Sequence, residues 1–539
     1  MPRKHLVAVG ACYVDTILDV PHYPREDEKL RATALIKRRG GNCPNSLEVL
    51  QQLVAVDDSV PKKVVADLPG DSTVSTQAAA NGHVNGEEGG GGGSSSRDDV
   101  QSPAEQTPLS AYVTPPDTRE DTAAADTSRE ANAADDDEEM LDPPVMQGNE
   151  SRTYKEKTKD DTVKKESSLS LTLISTLPRR SSAASGWIVN SFDTFTRDAN
   201  AEGNVQNERQ TTSIDLSHCI YREEHYEPAS SYILSSNKTH TRTIVNINEL
   251  PEMTTEEFIA VCEELFRSNT TADTTVENNK HAHTSAAATT TTQVSNEEPD
   301  VWHFHFEGRI PDTTLQCIRW LKAHNRFRTL AAQTRTHAQA QSHLRISVEL
   351  EKPNREGLQL LADEADIIFY SKTWAQAAGY KTPELCVWDQ HCRARVSADP
   401  TGAEKLFICT WGVAGARAVS MHKSRMPGRG GGNGGDDQPV PVIEVLESFA
   451  FYSQEGRPVK DSVGAGDTFI AGVLWGLLCR EREGEGGWSM QQVLDFANQL
   501  AGRKVLQWGF DRLGTAMRGI INPDEASSRE IGEGRAAQD

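Results

Sequence analysis

The segment Asp461–Leu474 reads DSVGAGDTFIAGVL. Gly464, Ala465 and Gly466 stand where an apolar helix, predicted over Thr468–Leu478, should begin, and the carboxylate of Asp467 stands beside them. The start of a helix carries free backbone N–H groups and a partial positive charge. Glycine lets an anion approach those donors closely. The pattern suits an anion cradle with a proton acceptor next to it. Read alone, it equally suits a tight turn before a core helix, with Asp467 complementing the helix dipole.

A second stretch, RRGGNCPNSLEVLQQL (Arg38–Leu53), carries another glycine pair followed by Asn42 and Asn45. Two amides three residues apart share one face of a helix's first turn. Amides both donate and accept, which suits the hydroxyls of a polyol. Asn42 as a plain helix cap is the alternative. Asp15 follows the first strand-like run, at the end where a parallel sheet receives its ligands. A carboxylate there can accept hydrogen bonds from two sugar hydroxyls.

These residues need a scaffold, and short apolar runs supply one. His5–Gly10, Val301–Gly308, Arg345–Glu351, Asp366–Ser371 and Leu406–Gly412 read as buried parallel strands, and amphipathic segments such as Thr313–His324 and Asn354–Ala365 lie between most of them. The alternation predicts an α/β fold with a doubly wound, mostly parallel sheet. Thr16–Lys37 and Ser213–Ile247 alternate with β-branched and aromatic residues instead, which predicts a small antiparallel accessory sheet or lid. His303 and His305 share a strand face, but no third ligand has matching spacing, so no metal site is assigned. The glycines at Gly428–Gly435 belong to a low-complexity loop and not to a phosphate cradle.

Composition bounds the rest. Only 36% of the 539 residues are hydrophobic, and the deficit is local. Residues 57–170, 269–298 and 423–438 are rich in Gly, Ser, Thr, Ala and acid, and are expected to be disordered inserts. The remainder, about 380 residues, suits one large α/β domain over 1–522, with a flexible tail at 523–539. A net charge of −23 argues against a nucleic-acid binder. Nine cysteines without a CxxC pair suit a reducing compartment, and no run reaches the length of a membrane span. Neither a signal peptide nor a membrane partner is expected, and the reading is a cytoplasmic protein.

At this point the residues match a family. Asp461–Leu474 and Arg39–Leu53 resemble the two signatures of the PfkB, or ribokinase-like, carbohydrate kinases. FHFEGR (Phe304–Arg309), RISVELEKP (Arg345–Pro353), IIFYSKTWAQAAGY (Ile367–Tyr380) and AGRKVLQWGFD (Ala501–Asp511) are most similar to the ketohexokinase (fructokinase) branch. The resemblance implies transfer of the γ-phosphoryl of ATP, with Mg²⁺, to a sugar hydroxyl. It implies Asp467 as general base and the backbone of Gly464, Ala465 and Gly466 as an anion hole. It assigns Asp15, Gly41, Asn42 and Asn45 to the sugar. Arg242, in THTRTIVNI, is implied on the nucleotide phosphates, a role that suits a forked guanidinium. Lys372, the run Thr410, Trp411, Gly412 and Gly415, and Asn498 are implied beside the nucleotide.

A ketohexose such as fructose, phosphorylated at its 1-position, is the acceptor the resemblance favours. Ribose, fructose at another position or a nucleoside are alternatives, as is a non-catalytic sugar or nucleotide sensor on the same fold. The stretches Leu171–Pro178 (LTLISTLP) and Thr243–Pro251 (TIVNINELP) depart from the branch, and they fall on the sugar side. Lid strands that pair between subunits are a route to a homodimer.

Overall fold

A computed structural model describes residues 2–58, 169–192, 213–236, 238–239, 241–271, 300–324, 327, 343–397, 404–424, 440–454, 457–480 and 487–522. Residues 1–63 and 163–539 form one compact unit; the other, 64–162, lies outside the described residues. The expected inserts and tail lie almost wholly outside them too. Helix Asn42–Asp58 and helix Thr255–Thr271 run two and three residues into the first two of those expected inserts.

Fifteen strands follow in chain order: β1 Lys4–Val9, β2 Tyr13–Val20, β3 Ala34–Gly40, β4 Ser170–Ile174, β5 Thr176–Pro178, β6 Ile214–Asp215, β7 Ile220–Arg222, β8 Ser230–Ser236, β9 Arg242–Ile247, β10 Val301–Glu307, β11 His343–Leu350, β12 Ile367–Tyr370, β13 Lys405–Thr410, β14 Ala416–Ser424 and β15 Val440–Ser448. Nine form a central sheet in the order β15-β14-β13-β12-β11-β10-β1-β4-β6. All neighbours from β13 to β6 run parallel; β14 and β15 are antiparallel at one edge. This is the doubly wound, mostly parallel sheet that the alternation of strands and helices predicts. The chain leaves β1 toward β4 on one side and returns to β10 on the other, so the strand order reverses at β1. In such sheets ligands bind beyond the carboxyl ends of the strands at that reversal.

The strands are continuous apolar runs because both faces are covered. Leu6 and Ala8 of β1 pack into one core cluster with helices Asn42–Asp58, Ala465–Trp475 and Met490–Val505. Val7 and Val9 pack into the other, which contains Trp302, Phe304 and Phe306 of β10. Full burial of each of those rings contributes about 1.5–3 kcal/mol.

The small sheet differs from expectation. Its order is β3-β2-β8-β9, and it is mixed rather than wholly antiparallel. β2–β3 and β8–β9 are antiparallel pairs, joined by a parallel seam between β2 and β8. The two pairs come from distant chain segments, so no hairpin fixes their relative direction. Within Ser213–Ile247 only β8 and β9 belong to this sheet. β6 pairs with β4 at the edge of the central sheet, and β7 pairs with β5. Strands of two and three residues are too short to carry a periodicity that would separate them.

His303 and His305 are buried beside Ser347, whose hydroxyl lies 2.8 Å from Nε2 of the first and 2.8 Å from Nδ1 of the second. Burial holds both imidazoles neutral. It pushes His303 well below the ordinary value, assisted by Arg345, and His305 down to about 4. The unfolded chain binds these protons more readily, so the pair stabilises the fold above the ordinary value and loses that contribution below it. Unfolding free energy should therefore carry a term that falls as pH drops from 6.5 toward 4. Denaturant titrations of the wild type and a His303→Gln/His305→Gln double variant check this, and the variant's profile should be flatter over that window.

Candidate active site

Gly464 caps helix Ala465–Trp475 in the left-handed region, at φ 83°. A Cβ there would lie 2.3 Å from Cζ of Phe510, so conformation and space both demand glycine. At Gly466 no heavy atom outside its own helix and chain neighbours lies within 4 Å of the place a Cβ would take, so that side of the first turn is open. The Thr468 amide and hydroxyl both donate to the Gly464 carbonyl, at 2.9 and 2.8 Å, and fix the turn.

Asp467 lies in this first turn and is buried. Its Oδ2 accepts a hydrogen bond from Asn45 Nδ2 at 2.7 Å, and its carbonyl accepts one from Ser46 Oγ at 3.0 Å. Burial raises the carboxyl, to about 7. The Asn45 bond opposes that rise, while the charges of Glu351, Glu307 and Asp15 add to it. Asn45 is itself oriented: Arg39 Nη1 donates to its Oδ1 at 3.4 Å. Arg39 pairs with Glu48 and lies 4.2 Å from the Phe192 ring centroid. Asn45 thus orients the acid rather than projecting freely into the cleft.

The other residues expected on the sugar side converge on the same place. Gly41 has φ 104°, and a Cβ there would lie 2.1 Å from the Ala11 carbonyl oxygen. The Asp15 carboxylate lies directly over Gly40, where a Cβ would sit 2.4 Å from either oxygen. Burial raises the Asp15 carboxyl, opposed by a hydrogen bond from Ser231 and the charges of Arg38 and Arg39. Asn42 Nδ2 donates to Glu349 Oε2 at 2.8 Å and to Glu351 Oε2 at 3.3 Å, so its side chain engages the end of β11. Glu307, ending β10, accepts the Ala11 amide at 3.0 Å, a bond that spans the reversal point beside β1. Burial raises Glu307 and Glu349, the latter well above the ordinary value.

Close to these acids lie cations. Arg242, exposed at the start of β9, donates from Nη1 to Ser462 Oγ. Arg38 Nη1 and Lys504 Nζ both donate to Asp461 Oδ2, at 2.8 and 2.6 Å. Burial pushes the Asp461 carboxyl up, but Lys504 and Arg38 outweigh it and hold the group below its ordinary value.

The residues expected beside a nucleotide form a second group at the same end of the sheet. Lys372 opens helix Lys372–Ala377 and its Nζ lies 5.6 Å from the Trp411 ring centroid. Ser371 Oγ donates to the Glu351 carbonyl at 2.7 Å, which links this group to the acids. Thr410 ends β13, and Trp411 N donates to the Gly415 carbonyl at 2.7 Å around Gly412. Gly412 and Gly415 have φ 59° and 81°, and a Cβ on Gly415 would lie 2.0 Å from the Ser448 carbonyl oxygen. Asn498 donates to Ser448 Oγ at 3.1 Å and to the Phe449 carbonyl, so it braces the end of β15.

Reasoning on spacing assigned no role to Asp461, Lys504, Arg38, Arg39, Glu307, Glu349 or Glu351. One signal was present: Val493, Ala497, Leu500 and Lys504 share a helical face, and a lysine on an apolar stripe is buried and paired.

The model of the pfkB family carbohydrate kinases matches residues 200–511. Ketohexokinase of Mus musculus is 29% identical over 218 residues, which are 40% of this chain and 57% of that protein. The chain thus spans just over half the length of that relative. Among solved structures, ribokinase from Giardia lamblia is similar at 11% identity and TM-score 0.45, over 98% of this chain and 99% of that one. A putative ribokinase from Agrobacterium tumefaciens is similar at 12% identity and TM-score 0.43, over 98% and 99%. With more than half of its length matched by the family model, the chain belongs to the pfkB family of carbohydrate kinases.

Proposed function

We propose that the protein transfers the γ-phosphoryl group of ATP to a sugar hydroxyl, most specifically the 1-hydroxyl of a ketohexose such as fructose. The observation that carries this reading is the pairing of Asp467 with an open, glycine-started helix turn. Asp467 takes the proton of the attacking hydroxyl, and its raised carboxyl is a base matched to that task near neutrality. The backbone N–H groups from Gly464 to Asp467 meet the charge that builds on the transferring phosphoryl group. Asp15, Gly41 and Asn42 face the sugar hydroxyls, and Asn45 holds Asp467 in place. Arg242 answers the nucleotide phosphates, with Lys372, the Thr410–Gly415 turn and Asn498 on the nucleotide's far side. Mg²⁺ would come with ATP, held mostly through the phosphates and water, and would supply neutralisation of their charge.

The small sheet supports a further part of the reading. One of its faces carries Leu35, Tyr232, Val245 and Ile247, each more than half exposed. A second copy of the chain covering this face would make the homodimer.

Two measurements test the reaction. ADP release with Mg-ATP is compared for fructose, ribose, adenosine and no acceptor, and Asp467→Asn should lower the fructose-dependent rate by about 10²–10⁴-fold. Turnover with another acceptor would keep the mechanism and remove the ketohexose; ligand binding without any turnover would replace the kinase with a sensor. The second measurement is the pH profile. The base acts deprotonated, so kcat/KM should fall as pH drops below about 7. Asn45→Ala removes a bond that stabilises the carboxylate, so its acid limb should move to higher pH.

A further inference from the structure

We infer that Lys504 is a positioning residue for phosphoryl transfer, acting through Asp461 to fix the loop that ends in the anion-binding turn. The inference rests on the proposed role of Gly464–Asp467. Lys504 lies in helix Met490–Val505 and is fully enclosed, at 0% exposure. Its Nζ donates both to Asp461 Oδ2 at 2.6 Å and to the Asp461 carbonyl at 3.0 Å. The ammonium also lies 5.3 Å from the centroid of the Phe510 ring. That ring is the one that packs against Gly464.

Asp461 gathers partners from three other places. Arg38 Nη1 comes from β3 of the small sheet at 2.8 Å, and the Gly509 amide lies 3.3 Å from the same oxygen. Asp461 Oδ1 accepts the Val463 amide at 2.9 Å, inside the loop itself. The carboxylate is therefore the knot of the Asp461–Gly464 loop, and Lys504 is the partner that holds its side chain and its backbone at once. A lysine without solvent is costly unless its donors are used, and an apolar side chain of similar length could fill the same space. What an apolar side chain could not do is grip a carbonyl and a carboxylate together. Arg38 neutralises the same carboxylate but belongs to the other sheet, so it cannot replace the grip from the helix side.

Burial lowers the Lys504 ammonium to about 8, opposed by Asp461. The other charged groups acting on it or influenced by it are Arg38, Asp467 and Glu48. Loss of its proton in alkaline solution releases the loop, so the wild-type kcat should show an alkaline limb.

The test compares the full-length wild type with Lys504→Met and Lys504→Arg. It measures steady-state turnover of Mg-ATP with the acceptor that works, and amide hydrogen exchange across Ser462–Gly466 without ligands. Lys504→Met should lower kcat about 100-fold, the scale of a small misplacement of reacting groups. Its sugar KM should stay within about threefold of wild type, and its loop should exchange faster. Lys504→Arg keeps a permanent charge, so it should recover most of kcat and lose the alkaline limb. Wild-type kcat and exchange in a folded Lys504→Met would overturn the inference. So would a fall in kcat matched by an equal rise in KM. If Lys504→Met does not fold, an alkaline limb that persists in Lys504→Arg overturns it, and its loss supports it. If no acceptor supports turnover in the wild type, the kinase reading has failed, and loop exchange in Lys504→Met still decides the role of Lys504 on its own.

Discussion

The bond from Asn45 to Asp467 joins chain positions 422 residues apart, and the rest of the cleft is arranged around it. A carboxylate this buried needs a donor at a fixed place. The donor sits on the first turn of helix Asn42–Asp58 and the acceptor on the first turn of helix Ala465–Trp475. Both helices pack on the same face of the central sheet, in one apolar cluster. Their N-termini therefore meet at the carboxyl ends of the parallel strands. The Ser46 hydroxyl on the Asp467 carbonyl doubles the tie, so neither helix can slide without breaking a buried hydrogen bond.

Glycine at four positions then becomes a consequence of packing rather than of flexibility. Gly40 makes room for the Asp15 carboxylate, Gly41 for the Ala11 carbonyl, Gly464 for the Phe510 ring and Gly415 for the Ser448 carbonyl. Three of the four also have φ between 81° and 104°. Each lets two backbone segments, or a backbone and a side chain, approach within the space a methyl group would occupy.

Much of this was legible in the sequence because it is written locally. The apolar runs marked β1, β10, β11, β12 and β13 within a residue or two, since a strand covered on both faces must be apolar throughout. The glycine pair before Asn42 and the GAGD turn advertise backbone conformations that few other residues adopt. Long-range charge pairing leaves no such trace. Arg38 and Asp461 are 423 residues apart, and Lys504 and Asp461 are 43 apart, so no spacing rule connects them. Glu349 and Glu351 look like ordinary strand-end acids until Asn42 is brought against them. The direction of the β2–β8 seam was hidden for the same reason, because the parallel contact joins two pairs that are each antiparallel by themselves.

The site sets buried acids close to cations. Asp15, Glu307, Glu349 and Asp467 all have carboxyls raised by burial. Arg38 and Arg242 reach Asp461 and Ser462, while Lys504 grips Asp461 from the enclosed interior. A raised carboxyl spends more of its time protonated, so these acids can meet hydroxyls both as acceptors and as donors. Arg242, exposed at the start of β9, presents a guanidinium that suits phosphate oxygens. On the proposed reading, the turn at Gly464–Asp467 stands between Asp467, which takes the hydroxyl's proton, and Arg242, which answers the phosphates. All six residues of β9 are exposed whereas the groups around Asp467 are buried, so β9 is where sequence can change at least cost to the fold.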